Sequence, residues 1–287
     1  MLDGMRRVAV LGAGTMGHGI AQVAAMSGFV TVLFDVDDGL ARRGVARIRE
    51  NLDKGVQRGK VDTAARDGAL ARLEATSDLA RAARDADVVV EAAPERMDLK
   101  QRIFREVSAA AGERAILATN TSSLSVTEIA QAATHPERVV GTHFFNPPWV
   151  LTLLEIVRGA ATSDDTIERT KDFGTRMGRE MIVVADSPGF ATSRLGVVLG
   201  LEAMRMLEAG VASAEDIDRA MQLGYRHPMG PLELSDLVGL DVRLDIAEHL
   251  HAKLGGEQYR PPEILKRLVR EGKLGKKTGQ GFRRWNE

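Results

Sequence analysis

Cysteine is absent from the 287 residues of this chain. The absence excludes disulfides, thiolate metal ligands and a cysteine nucleophile, and it fits a reducing compartment. Long apolar runs are also missing, since no stretch approaches the roughly 18 residues that suggest a membrane-spanning helix. The apolar run at residues 8–11 follows two arginines but is too short for the core of a signal peptide. We therefore expect a cytoplasmic protein with no membrane partner.

Acidic and basic residues are nearly balanced in number, so neither sign of charge is in excess. The 39 basic and 40 acidic residues give a formal net charge of -1, so no overall field attracts nucleic acid. Hydrophobic residues make up 44% and charged residues 28% of the chain, as is ordinary for a globular protein. We expect no nucleic-acid partner, and any anionic ligand must be held by local groups.

The first two-thirds of the chain alternates short β-branched runs with longer segments of helical spacing. This order predicts an α/β fold, a Rossmann-type doubly wound and mainly parallel sheet. The predicted helices include residues 17–27, 38–58 and 98–110. The predicted strands are residues 7–11, 30–34, 88–92, 115–119, 139–144, 153–157 and 181–185.

Strand patterns end at Asp186, where Ser-Pro-Gly at 187–189 breaks the chain. Beyond it, apolar residues between 195 and 207 recur at helical spacing. Ser-Ala-Glu-Asp at 213–216 resembles a capping box and predicts a second helix start. Pro231 and Pro262 predict two more, because proline is tolerated in the first helical turn. We predict two domains, 1–186 and an all-helical C-terminal domain at 187–287.

A glycine loop at residues 12–17 joins the first predicted strand to the first predicted helix. Gly12 permits the tight turn, Gly14 lets the backbone approach a pyrophosphate, and Gly17 allows close packing of helix on strand. Thr15 and Met16 complete the loop, and the helix N-terminus favours an anion. The motif alone is weak evidence in a chain with 29 glycines, but its place between strand and helix predicts a dinucleotide site in the first domain.

Asp35 ends the second predicted strand, 18 residues after Gly17. At this distance an acidic residue accepts hydrogen bonds from the adenosine ribose. The same charge repels a 2′-phosphate, and no arginine follows immediately to accommodate one. The sequence therefore predicts NAD rather than NADP as the cofactor. A doubly wound sheet that binds no nucleotide is the alternative.

His143 and Glu155 are a candidate acid–base pair. Glu155 lies within an apolar predicted strand, where a charge is costly unless it is paired or exposed. Pro147 and Pro148 break the chain between the two strands, so these can lie side by side and bring the two side chains together. A carboxylate that holds one imidazole nitrogen leaves the other to take a proton, as oxidation of an alcohol by NAD requires. Spacing alone favours an ordinary core histidine.

Ser122 lies in a polar segment, Asn-Thr-Ser-Ser at 120–123, that follows the fourth predicted strand. Doubly wound folds bind ligands at the carboxyl ends of their parallel strands. A hydroxyl there can orient a substrate oxygen, although such clusters are more commonly turns or helix caps. The segment alone leaves both interpretations open.

Longer motifs resemble the L-3-hydroxyacyl-CoA dehydrogenase family, most of all its bacterial short-chain members. The resemblance covers nearly the whole chain, and its most specific segments are Asn-Thr-Ser-Ser-Leu-Ser at 120–125 and Gly-Thr-His-Phe-Phe-Asn-Pro at 141–147. It implies reversible oxidation, with NAD, of a short-chain L-3-hydroxyacyl-CoA, such as 3-hydroxybutyryl-CoA, to the 3-ketoacyl-CoA. Further matching segments are the glycine loop, 186–190, 228–234, 236–241 and 275–282.

The resemblance implies a role for each matching residue. His143 is expected to act as the base in oxidation and the acid in reduction, while Glu155 orients it and stabilises the imidazolium. Ser122 is expected to contact the reacting oxygen near the nicotinamide, and Asn146 to contact the cofactor or hold the site together. Three more charged residues match positions that line or approach the dinucleotide site, with surface charge as the alternative: Glu95, Lys100 and Lys277.

Coenzyme A needs cations for its phosphates, and family members bind it with the helical region after Asp35. Lys54 and Arg58 are four residues apart and therefore share a face of the predicted helix; a solvated face is the alternative.

One departure from the family concerns Ser193, which stands where an asparagine usually reaches the active site from the second domain. Serine is shorter and has no amide, so the resemblance defines the reaction class more closely than the substrate preference.

Several alternatives to this interpretation stay open. The substrate can be a dicarboxylic acyl chain such as 3-hydroxyadipyl-CoA, or a free hydroxy or sugar acid. A non-catalytic NAD-binding or structural protein, as among lens crystallins of this lineage, is the alternative of another class. Joint retention of Ser122, His143, Asn146 and Glu155 argues against it. The resemblance also implies a homodimer formed through the C-terminal domain, and we expect no metal site.

Overall fold

A computed structural model describes residues 4–285, and the first part of the chain is built on one sheet. Its eight strands are β1 (Arg7–Leu11), β2 (Val30–Phe34), β3 (Leu73–Thr76), β4 (Val88–Glu91), β5 (Ile116–Thr119), β6 (Val139–Phe144), β7 (Leu153–Arg158) and β8 (Glu180–Ala185). They lie in the order β3-β2-β1-β4-β5-β6-β7-β8. All neighbours are parallel except β6 and β7. The predicted doubly wound, mainly parallel sheet is confirmed.

Seven α-helices accompany this sheet: α1 (Thr15–Met26), α2 (Asp38–Gln57), α3 (Thr63–Ala71), α4 (Leu79–Arg84), α5 (Met97–Ala110), α6 (Val126–Ala130) and α7 (Asp164–Arg176). Polar side chains cap several of them; Asp37, for example, accepts a hydrogen bond from the N–H of Leu40 at the start of α2. Apolar residues of the strands pack with those of α1 and α7 into one buried core, which includes Val10, Ile20 and Phe173. This core fixes the strand ends that carry the polar residues.

Strand β3 was not predicted. Its sequence is Leu-Glu-Ala-Thr, half exposed at the edge of the sheet, so it lacks the apolar run that identifies a buried strand. The helix predicted at 38–58 ends at Gln57, and Arg58 is its C-cap residue. Lys54 and Arg58 are therefore not both within the helix, which corrects the predicted shared helical face.

The second compact unit spans Ser187–Glu287 and the first Met1–Asp186. Its α-helices are α8 (Thr192–Glu208), α9 (Ala214–Gly224), α10 (Pro231–Val238), α11 (Leu240–Leu254) and α12 (Glu263–Arg270). Ser213 caps α9 by accepting a hydrogen bond from the N–H of Asp216 at 3.1 Å, and Pro231 is the first residue of α10. The prediction for Pro262 was wrong by one residue, because it precedes α12 as the N-cap.

Short 3-10 turns complete the secondary structure, at Pro136–Arg138, Glu257–Tyr259 and Lys276–Thr278. The only β-structure in the described part of the second unit consists of isolated bridges near its end, around Gln280. The helices enclose their own apolar core, in which Met204 and Leu232 are fully buried. None of the helices within residues 4–285 has the length and apolar character needed to cross a membrane.

Candidate active site

The glycine loop occupies the turn from β1 into α1. Gly12 has a φ of +103°, and a Cβ there would lie 2.8 Å from the carbonyl oxygen of Ala92. A Cβ on Gly17 would lie 1.7 Å from the carbonyl oxygen of Gly12. In contrast, a Cβ on Gly14 would meet no atom within 4 Å. The fold itself thus requires Gly12 and Gly17, whereas Gly14 faces open space that a ligand can fill.

A cavity of about 900 Å³ opens beside this loop. Asp35 lies at its wall, where Oδ2 accepts a hydrogen bond from the N–H of Ala13 at 2.8 Å and Oδ1 one from the N–H of Val36 at 2.8 Å. Pockets of this size hold cofactor-sized ligands. The open space at Gly14 and the fixed carboxylate at the end of β2 fit the pyrophosphate and ribose of a dinucleotide. Other predicted residues that line the cavity are Gly12, Thr15 and Met16.

His143 and Glu155 lie directly opposite each other on the antiparallel strands β6 and β7. Nδ1 of His143 is 2.6 Å from Oε2 of Glu155. Glu155 is fully buried and His143 is 7% exposed, so each side chain depends on a polar partner. The contact occupies Nδ1, and Nε2 is on the other side of the ring. This geometry matches a histidine that exchanges protons through Nε2 while a carboxylate holds it in place.

Ser122 lies in the turn after β5, and Glu95 holds this turn. Oε1 of Glu95 accepts hydrogen bonds from the hydroxyl of Thr121 at 2.6 Å and from the N–H groups of Ser122 at 2.9 Å and Ser123 at 3.2 Å. Burial alone would raise the pKa of Glu95, but the charge of Lys100 and these hydrogen bonds outweigh it and keep the pKa below its usual value. The carboxylate therefore stays ionised and keeps accepting.

Lys100 is buried within the first unit, with 1% of its surface exposed. Its Nζ is 2.7 Å from Oε1 of Glu91 and 3.4 Å from Oε2 of Glu95. Glu91, the last residue of β4, was not singled out from the sequence. The signal was present, because Glu91 ends an apolar run just as Glu155 interrupts one, and a charge in such a run indicates a buried partner.

The turns after β5 and β6 are joined by Asn120, whose Oδ1 accepts a hydrogen bond from the N–H of Phe144 at 2.9 Å. Asn146 lies two residues beyond β6, is exposed, and precedes Pro147 through a cis peptide bond. The structure thus brings Ser122, His143 and Asn146 to the ends of neighbouring strands.

Four other predicted residues remain, two in each unit. Lys54 pairs with Glu50 at 2.6 Å on the surface of α2, and Arg58 follows the end of that helix. In the second unit, Ser193 lies in the first turn of α8, and Nζ of Lys277 is 2.6 Å from Oδ1 of Asp241. Among the described residues, no group of three histidines or acidic residues could hold a metal ion.

Comparisons with known proteins assign the two units to families. Residues 7–187 match the 3-hydroxyacyl-CoA dehydrogenase NAD binding domain, and residues 189–285 match the 3-hydroxyacyl-CoA dehydrogenase C-terminal domain. A 3-hydroxybutyryl-CoA dehydrogenase of Bradyrhizobium diazoefficiens is 43% identical over 278 residues, which are 97% of this chain and 94% of that protein.

Solved structures agree with this assignment. The (S)-3-hydroxybutyryl-CoA dehydrogenase of Ralstonia eutropha has a TM-score of 0.94 and 38% identity, and the match covers 99% of this chain and 100% of that one. A diketoreductase that acts on dicarbonyl compounds has a TM-score of 0.87 and 30% identity over 99% of this chain and 100% of its own. The chain therefore belongs to the 3-hydroxyacyl-CoA dehydrogenase family, and it is an NAD-dependent enzyme of that family.

Proposed function

We propose that this enzyme interconverts short-chain L-3-hydroxyacyl-CoA and 3-ketoacyl-CoA, with 3-hydroxybutyryl-CoA as the preferred substrate. The observation that carries the proposal is the buried contact of 2.6 Å between His143 and Glu155, at the same sheet edge as the turn with Ser122. Relatives named 3-hydroxybutyryl-CoA dehydrogenase, matched over nearly their full length, support a short acyl chain in the substrate.

In the proposed mechanism the glycine loop and Asp35 would hold NAD, which when bound would supply the hydride acceptor for C3 of the substrate and, as NADH, the hydride donor for the reverse direction. Nε2 of His143 takes the proton of the 3-hydroxyl during oxidation and donates it to the 3-keto oxygen during reduction. Glu155 orients the ring and stabilises the imidazolium that forms. The hydroxyl of Ser122 contacts the reacting oxygen, and Asn146 orients the groups around it.

The remaining assignments are proposals that extend the resemblance. Lys54 and Arg58 bind the phosphates of CoA, Ser193 takes part in substrate binding, and Lys277 takes part in cofactor binding. The C-terminal domain forms a homodimer interface, as the resemblance implies, and the exposed apolar side chains of this domain are candidates for burial there. They include Leu195, Val211, Leu223 and Tyr225, which are 64% to 76% exposed. We also propose a cytoplasmic location, which fits the absence of cysteine from the chain.

The proposed substrate is tested by initial rates on 3-ketoacyl-CoAs of increasing chain length with NADH. We expect the highest kcat/KM with acetoacetyl-CoA and a decline as the chain lengthens, with free acetoacetate at least about 100-fold slower because it lacks the CoA binding energy. A higher kcat/KM with 3-ketoadipyl-CoA would replace the short-chain assignment by a dicarboxylic one. Equal rates with free acetoacetate would contradict CoA recognition.

The cofactor preference depends on Asp35. In the Asp35→Asn variant we expect kcat/KM for NADH to fall about tenfold, because a neutral amide accepts more weakly than a carboxylate from the ribose hydroxyls. The value for NADPH is expected to hold or rise, because repulsion of the 2′-phosphate is lost. Asparagine keeps an acceptor oxygen for only one of the N–H groups of Ala13 and Val36, so the midpoint of thermal unfolding is measured to separate a loss of stability from a loss of binding. An unchanged NADH to NADPH ratio would show that Asp35 does not select the cofactor.

A further inference from the structure

We propose that Glu91 is a positioning residue for the reaction, acting through Lys100 and Glu95 on the turn that carries Ser122. The proposal rests on the role of Ser122 in the proposed function. The carbonyl oxygen of Glu91 accepts a hydrogen bond from the N–H of Asn120 at 2.7 Å, at the start of the turn, and its side chain acts on the rest of the turn through Lys100. It fixes the ammonium group that keeps Glu95 in place, and Glu95 in turn holds three consecutive residues of the turn.

The contacts of Glu91 join three elements at the centre of the first domain. Oε1 accepts from the N–H of Ala93 at 2.6 Å and from Nζ of Lys100 at 2.7 Å. Oε2 accepts from the hydroxyl of Thr119 at 2.6 Å and from the same Nζ at 3.0 Å. Both oxygens are thus fully used, and the side chain is 1% exposed. Ala93 also lines the cofactor cavity, so one carboxylate ties together the cavity wall, α5 and the end of β5.

Lys100, which Glu91 holds in place, in turn restrains the side chain of Glu95. Its Nζ lies between two carboxylates and makes a third contact of 3.3 Å with the carbonyl oxygen of Ala93. Held by Glu91, it reaches Oε2 of Glu95 at 3.4 Å, which leaves Oε1 of Glu95 for the donors of the turn. Oε2 of Glu95 therefore contacts the buried ammonium group of Lys100, while Oε1 accepts hydrogen bonds from the turn with Ser122.

Removal of the charge at Glu91 disturbs both sets of contacts that Glu95 makes. In Glu91→Gln, Lys100 keeps its charge and has Glu95 as its nearest carboxylate, so the cation draws Glu95 away from the turn. Ser122 then loses the fixed backbone that places its hydroxyl. A poorly placed contact at the reacting oxygen lowers kcat, whereas binding of the adenosine half, which depends on the glycine loop and Asp35, is retained.

The test compares Glu91→Gln with the double variant Glu91→Gln/Lys100→Met. Removal of one partner of a buried ion pair is strongly destabilising, while removal of both is commonly tolerated. We expect kcat for acetoacetyl-CoA reduction at 25 °C to fall at least about tenfold in both variants, because Lys100 draws Glu95 away in the single variant and Oε2 of Glu95 loses its ammonium partner in the double one. The dissociation constant of NADH is expected to stay within about threefold of wild type in Glu91→Gln. The melting temperature is expected to fall in the single variant and to recover in the double one. Glu168→Gln, which removes the acidic partner of Lys171 in an exposed pair on α7, is the matched control and keeps wild-type values.

A recovery of kcat together with the melting temperature in the double variant would reduce Glu91 to a stability role and overturn the proposal. If Glu91→Gln does not fold, Thr119→Val removes one donor to Glu91 at similar side-chain volume, and we expect about a threefold loss of kcat. An unchanged kcat in that variant would also contradict the proposal. Failure of the proposed function has a different signature, because the wild-type enzyme itself would then not reduce acetoacetyl-CoA although it binds NADH.

Discussion

Replacement of His143 by alanine is expected to lower kcat for acetoacetyl-CoA reduction by about 1000-fold, within the range that general acid–base catalysis contributes. The dissociation constant of NADH is expected to stay within about threefold of wild type, because His143 does not line the cofactor cavity. Stopped-flow or steady-state absorbance at 340 nm measures the rate, and quenching of protein fluorescence measures NADH binding.

Two further variants make this result specific. His135→Ala changes a histidine that is exposed and pairs with Glu137 at 3.1 Å, so its kcat should equal that of wild type. Glu155→Gln is expected to lose less than His143→Ala, because the imidazole remains but is no longer stabilised as a cation. Near-normal turnover of His143→Ala would remove the histidine from the mechanism and with it the proposed function.

Alanine substitution of two glycines in the cofactor loop is expected to weaken NADH binding in both cases but to lower the stability of the protein in only one. Gly17→Ala places a Cβ 1.7 Å from the carbonyl oxygen of Gly12, so the backbone must shift. We expect the free energy of unfolding to fall by about 2 kcal/mol or more and NADH binding to be lost with the loop geometry. Chemical denaturation and fluorescence titration measure the two effects.

Gly14→Ala separates binding from folding. Its Cβ meets no atom within 4 Å, and Gly14 has a φ of -68° that alanine adopts freely. We expect the unfolding free energy to change by less than about 0.5 kcal/mol, while the dissociation constant of NADH rises at least about tenfold because the methyl group occupies the space of the pyrophosphate. NADH binding at wild-type strength in Gly14→Ala would mean that the cofactor does not pass over this residue.

Much of the first domain could be predicted because its strands are buried on both faces and are therefore continuous apolar runs. Strands β1, β2 and β6 begin and end at the predicted residues. Strand β3 could not be predicted, since an edge strand with two exposed central residues carries no such run. The end of α2 at Gln57 depends on a single C-cap residue, and helix ends of this kind vary by a residue or two without a clear sequence signal.

The candidate site was less evident from the sequence than the sheet. The residue patterns singled out His143, Glu155 and Ser122, and the resemblance added Glu95. Neither gave a reason for the spatial relation of Glu95 to Ser122, which are 27 residues apart. Only the pairing of β4 with β5 makes these two turns neighbours. Glu91 was missed because its partner Lys100 is on the following helix, and the sequence does not show that the helix turns this lysine inward.

The antiparallel pairing of β6 with β7 has a consequence for how this enzyme can vary. Because side chains alternate between the faces of a strand, a slip of one residue would turn Glu155 away from His143 and present Leu154 instead. Pairing of β7 with β8 on its other side fixes the same alignment a second time. Insertions and deletions between residues 149 and 152, beyond Asn146, are therefore compatible with catalysis so long as both ladders are kept, whereas one residue gained or lost inside β7 inactivates the enzyme without replacing any catalytic side chain.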